Sequence, residues 1–261
     1  MNKALFFDID GTLVSFKSHM ISEQTIASIA KAKAGGYGIF IATGRPYAII
    51  DNLGALSEEG LIDGFITMNG GYVFVGDEVI HSSRLPEAEA RMVTDYCGEH
   101  HIPAVIVGAD KIGVMEEVPE VRALFNDFLK VKNVIPGVTP DEAFDWGGIY
   151  QLTPFLTLEQ EAELVLPGIE SSRWHPAFTD MTARGNNKQL GIDKIIERFG
   201  VPLENTMAFG DGGNDSGMLR HAGVGVAMGN ANDDVKAAAD FVTLSVDEEG
   251  ITHALEHFGV I

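Results

Sequence analysis

Cysteine is almost missing: Cys97 is the only one in 261 residues. No internal disulfide can form, which suits a reducing compartment, and the chain is expected to be cytoplasmic. Cys97 is read as a small buried side chain and not as a nucleophile. No unbroken apolar run is long enough to cross a bilayer. The apolar start is interrupted by Asp8 and Asp10, which a secretory h-region would not tolerate, so no signal peptide is expected. Basic residues are scarce, 18 against 38 acidic ones, leaving a formal charge of −20. Counterion release needs clustered Lys and Arg, so nucleic acid and anionic membranes are poor partners. Apart from His175, the seven other histidines show no metal-ligand spacing, and no Cys/His cluster argues for zinc. A hydrophobic share of 45 % with 21 % charged residues is the balance of a globular chain, long enough for a core carrying an insertion.

What is present is an α/β rhythm at both ends. Lys3 to Ile9 is a short apolar run suited to a strand buried on both faces. Ser22 can cap a helix carrying Ile26, Ile29 and Ala30, with Gly35-Gly36 to stop it. Gly38 to Ala42 reads as the next strand, giving a βαβ unit and hence a parallel sheet with a right-handed crossover. Gly64 to Met68 follows as a strand, and Val73 to Ile80 as a hairpin. Near the C-terminus, a helix through Ile192, Ile195, Ile196 and Phe199 ends at Gly200 and Pro202. A strand at Met207 to Phe209, a helix with Met218, Leu219 and Ala222, and a strand at Val224 to Met228 come next. Val235 to Ala239 is expected helical, Phe241 to Thr243 a strand, and Ile251 to Phe258 the last helix.

The middle differs. Short β-like pieces at Ala104 to Val107, Ile112 to Met115, Ile149 to Leu152 and Ala177 to Met181 surround helical stretches near Val118 to Leu129 and Leu158 to Leu166. The expected architecture is α/β: a Rossmann-like parallel-sheet core formed by residues 1–81 and 185–261, with an α+β domain inserted at 82–184.

The chemistry-bearing residues fall at strand ends. Asp8 and Asp10 sit where the first strand should stop, and Gly11 lets the chain turn away. In open α/β sheets ligands bind outside the carboxyl ends of the strands. Asp-x-Asp-Gly by itself also occurs in plain turns and calcium loops. Thr43 follows the second strand, Lys188 opens a helix, and Asp211, Asn214 and Asp215 follow the strand at Met207 to Phe209. Each alone has a plain turn or helix-start reading; their joint occurrence in this order carries the signal.

On Phe7-Asp8-Ile9-Asp10-Gly11-Thr12-Leu13, Ala42-Thr43-Gly44-Arg45, Lys188 and Gly210-Asp211-Gly212-Gly213-Asn214-Asp215, the whole chain resembles the haloacid dehalogenase superfamily. Within it, the likeness is to the Cof-type sugar-phosphate phosphatases with a C2-class (C2B) cap. Two positions depart from the family pattern: Ile9 stands where Leu is usual, and Gln189 where Gly commonly follows the lysine. Lys194 is the nearest competitor for that lysine, but it lies well inside its helix.

The resemblance implies that Asp8 attacks phosphorus to give an aspartyl-phosphate. Asp10 would protonate the leaving alcohol and then activate water. Mg²⁺ would be held by Asp8, Asp211 and the backbone carbonyl of Asp10, with Asp215 in its outer shell. Thr43, Gly44, Arg45, Lys188 and Asn214 would bind the phosphoryl group or substrate.

Charge supports this assignment. Four carboxylates would repel a phosphate dianion, whereas one Mg²⁺ and Lys188 leave only a single net negative charge. Oxygen ligands and phosphate chemistry favour Mg²⁺ over zinc. Crowded carboxylates also raise one another's pKa, which an acid such as Asp10 needs.

The substrate class expected from the resemblance is a small phosphate ester, most simply a hexose or pentose phosphate. The rivals are pyridoxal phosphate and a phosphomannomutase-like phosphotransfer; a phospho-accepting signalling domain is disfavoured by Asp10 and the large insertion. A cap over the catalytic edge would exclude water and contact the leaving group. Arg45, and Arg173, Trp174 and His175 on an expected cap strand, are the candidate contacts, although such a Trp is often cap core. The chain is expected to be a monomer or weak homo-oligomer.

Overall fold

The computed structural model describes residues 1–116, 118–122 and 134–261. They divide into two compact units. The first is Met1–Gly44, Ile50–Ser82 and Asn187–Ile261; the second is Arg45–Ile49 with Ser83–Asn186.

The first unit is built on a sheet of eight strands among the described residues. In chain order these are β1 (Lys3–Phe7), β2 (Tyr37–Ala42), β3 (Gly64–Thr67), β4 (Tyr72–Val75), β5 (Glu78–Ser82) and then, after the second unit, three more. The second unit holds β6 (Ala104–Val107), β7 (Ile112–Met115), β8 (Ile135–Pro136), β9 (Gln151–Pro154), β10 (Ile169–His175) and β11 (Phe178–Ala183). The chain then returns through β12 (Thr206–Gly210), β13 (Val224–Ala227) and β14 (Phe241–Val242). The large sheet has the order β14-β13-β12-β1-β2-β3-β4-β5. The six strands from β14 to β3 pair in parallel, and β4 and β5 add an antiparallel hairpin.

Alternation explains why β1 lies at the centre. Leu5 and Phe7 face one apolar core with Ile29, Ile41, Phe209 and Leu255, while Ala4 and Phe6 face another with Phe40, Ile192 and Met218. A strand with both faces buried must read as a continuous apolar run, and Ala4 to Phe7 does. Phe7 stacks on Phe209 with centroids 4.7 Å apart, and Phe6 on Phe40 at 5.2 Å, one pair on each face.

Helix ends follow local chemistry. Ser22 caps the Glu23–Ala34 helix, its hydroxyl accepting from the Thr25 amide at 3.0 Å. Asn187 caps Lys188–Phe199, accepting from the Leu190 amide at 2.8 Å, and Gly200 ends it in the left-handed conformation. The run Val235 to Ala239 yields only the single turn Asp233–Lys236, because Ala237 already serves as its C-cap.

The second unit carries the order β10-β11-β9-β6-β7-β8. Its pairings are antiparallel except β7 with β8. Ala90, Val93 and Cys97 of the helix Glu87–Glu99 pack with Ala104, Ile106, Leu152 and Met181 of the sheet. That helix is not marked by the sequence pattern, since its apolar stripe is narrow and made of small residues. The strand expected at Ile149 to Leu152 lies two residues later, with Ile149 and Tyr150 instead bonding Leu85 and Val107 through their backbones. Of the helix expected near Val118 to Leu129, Pro119–Arg122 is seen, and the remainder falls outside the described residues.

Cys97 is fully buried, and burial pushes its thiol up to about 12. Iodoacetamide at pH 8 is therefore expected to leave the native protein unmodified and to add one group in urea. Rapid native alkylation, read by intact mass, would contradict this packing.

Candidate active site

Because β1, β2, β3, β12 and β13 run in parallel, their carboxyl ends share one edge of the sheet, and the residues after them meet there. Asp8 follows β1, its backbone N–H donating to Phe209 O at 3.0 Å. Asp211, Asn214 and Asp215 follow β12.

Lys188 joins the two. Its ammonium donates to Asp8 Oδ1 and to Asp215 Oδ1, both at 2.6 Å, and the residue is 1 % exposed. The other oxygen of Asp215 accepts from the backbone N–H groups of Asp211 at 3.0 Å and Gly212 at 2.8 Å. Gly210 has no room for a side chain, since a Cβ there would overlap the Asp215 carboxyl group.

Asp211 is held from two sides. Thr12 Oγ1 donates to its Oδ1 at 3.2 Å, and Asn230 Nδ2 to its Oδ2 at 3.2 Å. Asn230 follows β13, also donates to Gly11 O at 2.9 Å, and accepts from the Val246 amide at 2.9 Å. One amide thus ties the Asp211 loop, the first loop and the segment at Val246 together. Gly11 has a φ of +80°, and a Cβ there would run into the Asp211 carboxylate.

Asp10 lies in the tight turn after β1, where Leu13 and Val14 both donate to Ile9 O. Thr43 is buried after β2, its amide donating to Ile66 O at 2.8 Å. Gly44 lies beside the side chains of Asn69 and Asn214, which are joined by an Nδ2-to-Oδ1 bond of 3.0 Å.

Arg45 groups with the second unit, apart from the core that holds Thr43 and Gly44. Arg173 donates to Leu156 O at 3.0 Å, Pro176 O at 3.2 Å and Glu161 at 2.7 Å, so its guanidinium braces its own unit. The side chains of Trp174 and His175 lie outside the described residues. Lys194 sits on the surface against Glu197 at 3.5 Å.

The electrostatics are those of a buried acidic site. Burial pushes Asp8 up to about 8, opposed by Lys188 and reinforced by Asp215. Asp211 rises to about 6, again through burial first and Asp215 second, with the Thr12 bond opposing. For Lys188, burial works against the charge, but Asp215 and Asp8 together outweigh it and raise the ammonium above its ordinary value. Among the described residues, Asp8, Asp211 and Asp215 each offer a carboxylate oxygen within 4.8 Å of the others, a spacing that could hold a metal ion.

The family described as haloacid dehalogenase-like hydrolase matches residues 5–255, almost the whole chain. The protein belongs to that family. Among solved structures, the subclass IIB sugar phosphatase BT4131 is 52 % identical, with a TM-score of 0.89 and complete coverage of both chains. YkrA of Bacillus subtilis is 36 % identical over 100 % of this chain and 99 % of its own. The pyridoxal phosphate phosphatase YbhA of Escherichia coli is 30 % identical over 92 % of each. The chain is accordingly a haloacid dehalogenase-like, Cof-type phosphoric monoester hydrolase that acts on small phosphate esters, with a parallel-sheet core and an inserted cap domain.

Thr12, Asn69 and Asn230 are bonded into this cluster, although the sequence alone assigns none of them a role there. The signal that could have found the last two is the one used for Thr43 and Asp211. Both asparagines follow strands whose carboxyl ends lie on the same edge.

Proposed function

We infer that the protein is a Mg²⁺-dependent sugar phosphatase, acting on hexose and pentose phosphates through an aspartyl-phosphate on Asp8. The observation that carries this reading is the buried Lys188 bridging Asp8 and Asp215 at 2.6 Å beside Asp211. That arrangement supplies a nucleophile, a fixed cation and an oxygen-only metal pocket at one sheet edge.

The donor set fits Mg²⁺. Its side-chain groups are carboxylates, the hard ligands this ion prefers, and burial lifts Asp8 and Asp211 in a way that a neighbouring cation would offset. Asp8, Asp211 and the main-chain carbonyl of Asp10 would hold the ion. Both oxygens of Asp215 are already engaged by Lys188 and two backbone amides, so its role is to orient the outer shell. When bound, Mg²⁺ supplies the charge neutralisation that lets a phosphate dianion approach these carboxylates.

In the first step an oxygen of Asp8 forms a bond to phosphorus while the bond from phosphorus to the leaving oxygen breaks. Asp10 delivers its proton to that oxygen and releases the alcohol. Asp10 then takes a proton from water, whose oxygen attacks phosphorus and frees Asp8 and inorganic phosphate. Two moderate barriers replace one very high barrier. Lys188, Thr43, Gly44 and Asn214 fix the phosphoryl oxygens throughout, since a loose transition state asks chiefly for positioning and charge.

The sugar assignment draws on the 52 % identity to BT4131, against 30 % to the pyridoxal phosphate enzyme. Steady-state phosphate release, with no bisphosphate activator, tests it. Comparable kcat/KM is expected for several sugar phosphates, within about a factor of a hundred, because a single hydroxyl contact discriminates weakly. Nucleotides should fall well below. A preference for pyridoxal phosphate or a nucleoside monophosphate beyond that margin would refute the sugar assignment and leave the phosphatase chemistry standing. Dependence on a bisphosphate activator would favour phosphotransfer.

A further inference from the structure

The turn after β3 has a conformation that side chains rarely accept. Met68, Asn69 and Gly70 follow one another with φ of 50°, 50° and 93°. Asparagine visits this region more readily than most residues, and methionine does not. Such conformations persist where the surroundings over-determine them, and they gather at functional sites.

The surroundings here are three of the loops that carry the site. The Asn69 amide donates to Thr43 O at 3.1 Å. Its side-chain Oδ1 accepts from Asn214 Nδ2 at 3.0 Å. Gly70 approaches Asn187, the residue before Lys188, so closely that a Cβ would overlap the Asn187 carbonyl. Met68 is anchored below, fully buried.

A turn that only needed the left-handed backbone could use glycine, which takes that conformation without strain. The side chain of Asn69 does something glycine could not, by holding the Asn214 amide at one rotamer next to Gly44. We propose that Asn69 is a positioning residue of the phosphoryl site, acting through Asn214. This rests on the reading of Asn214 as a phosphoryl ligand.

Asn69→Gly isolates the side chain, because it keeps a backbone suited to φ near 50°. The thermal midpoint is expected to stay the same or rise. The inhibition constant for orthovanadate should rise about tenfold, the order expected for losing one net hydrogen bond. KM should rise in step, since the ground state uses the same contact. In an Asn214→Ala background, Asn69→Gly should then change vanadate inhibition no further, the signature of one residue acting through the other.

An unchanged vanadate constant in Asn69→Gly, with Asn214→Ala impaired, would overturn the proposal alone. Fully additive effects would also overturn it, by showing that Asn69 acts independently of Asn214. If Asn214→Ala itself binds vanadate normally, the phosphoryl assignment of Asn214 fails and this inference fails with it.

Discussion

Asp8→Asn is expected to give a folded protein with no measurable phosphate release. An amide cannot carry the phosphoryl group, so the covalent route closes entirely. The fold should survive for local reasons. Asparagine has the same shape, its Oδ1 still accepts from Lys188, and the backbone bond from residue 8 to Phe209 O is untouched.

Stability points the same way. Burial raises Asp8 from 3.8 to about 8, so the folded state holds this proton more tightly than the unfolded state does. Between those values the unfolded chain binds fewer protons, and the metal-free protein loses stability from this group as pH rises. The substitution removes that loss, and the metal-free variant at pH 8 should melt no lower than wild type. Asp10→Asn should lose most of the rate but retain Mg²⁺ binding, which calorimetry reads, because the ligand proposed for residue 10 is its main-chain carbonyl. Turnover by Asp8→Asn, with deamidation excluded by mass spectrometry, would sink the aspartyl-phosphate reading.

Lys188→Met should be costly in two measurements. The ammonium is buried between Asp8 and Asp215, and removing one member of a buried charge cluster leaves the others uncompensated. A loss of about 3–5 kcal/mol is expected in urea unfolding of the metal-free protein. Vanadate and phosphate should also bind more weakly by several kcal/mol, on the order found for truncating a buried charge partner. Lys194→Met is the control. That lysine pairs with Glu197 on the surface at 3.5 Å, an interaction worth at most about 1 kcal/mol. Were Lys194→Met to abolish anion binding and Lys188→Met to spare it, Lys188 would lose its place in the site.

Much of the core was legible because its signals are local. Ala4 to Phe7 is apolar at every position, as burial on two faces demands, and Ser22, Gly200 and Asn187 mark helix ends within one turn. Strand ends locate Asp8, Thr43 and Asp211 on one edge, because a parallel sheet aligns its carboxyl termini.

The sequence by itself therefore determined the α/β order, the family, and the residue types brought to the carboxyl edge of the parallel sheet. Only the tertiary structure decided the bonds between them. Lys188 is 180 positions from Asp8, and nothing local distinguishes a buried bridging lysine from a solvated one at a helix start. Asn69 and Asn230 look like ordinary turn residues until Asn214, Gly11 and Asp211 come within reach. The helix Glu87–Glu99 has too narrow an apolar stripe to declare itself before the second sheet packs on it. Arg173 has the chemistry of a substrate contact, and only its bonds to Leu156, Pro176 and Glu161 show it bracing its own unit. A local pattern reports propensity and period, whereas the partner of a polar side chain is set by which distant strands align.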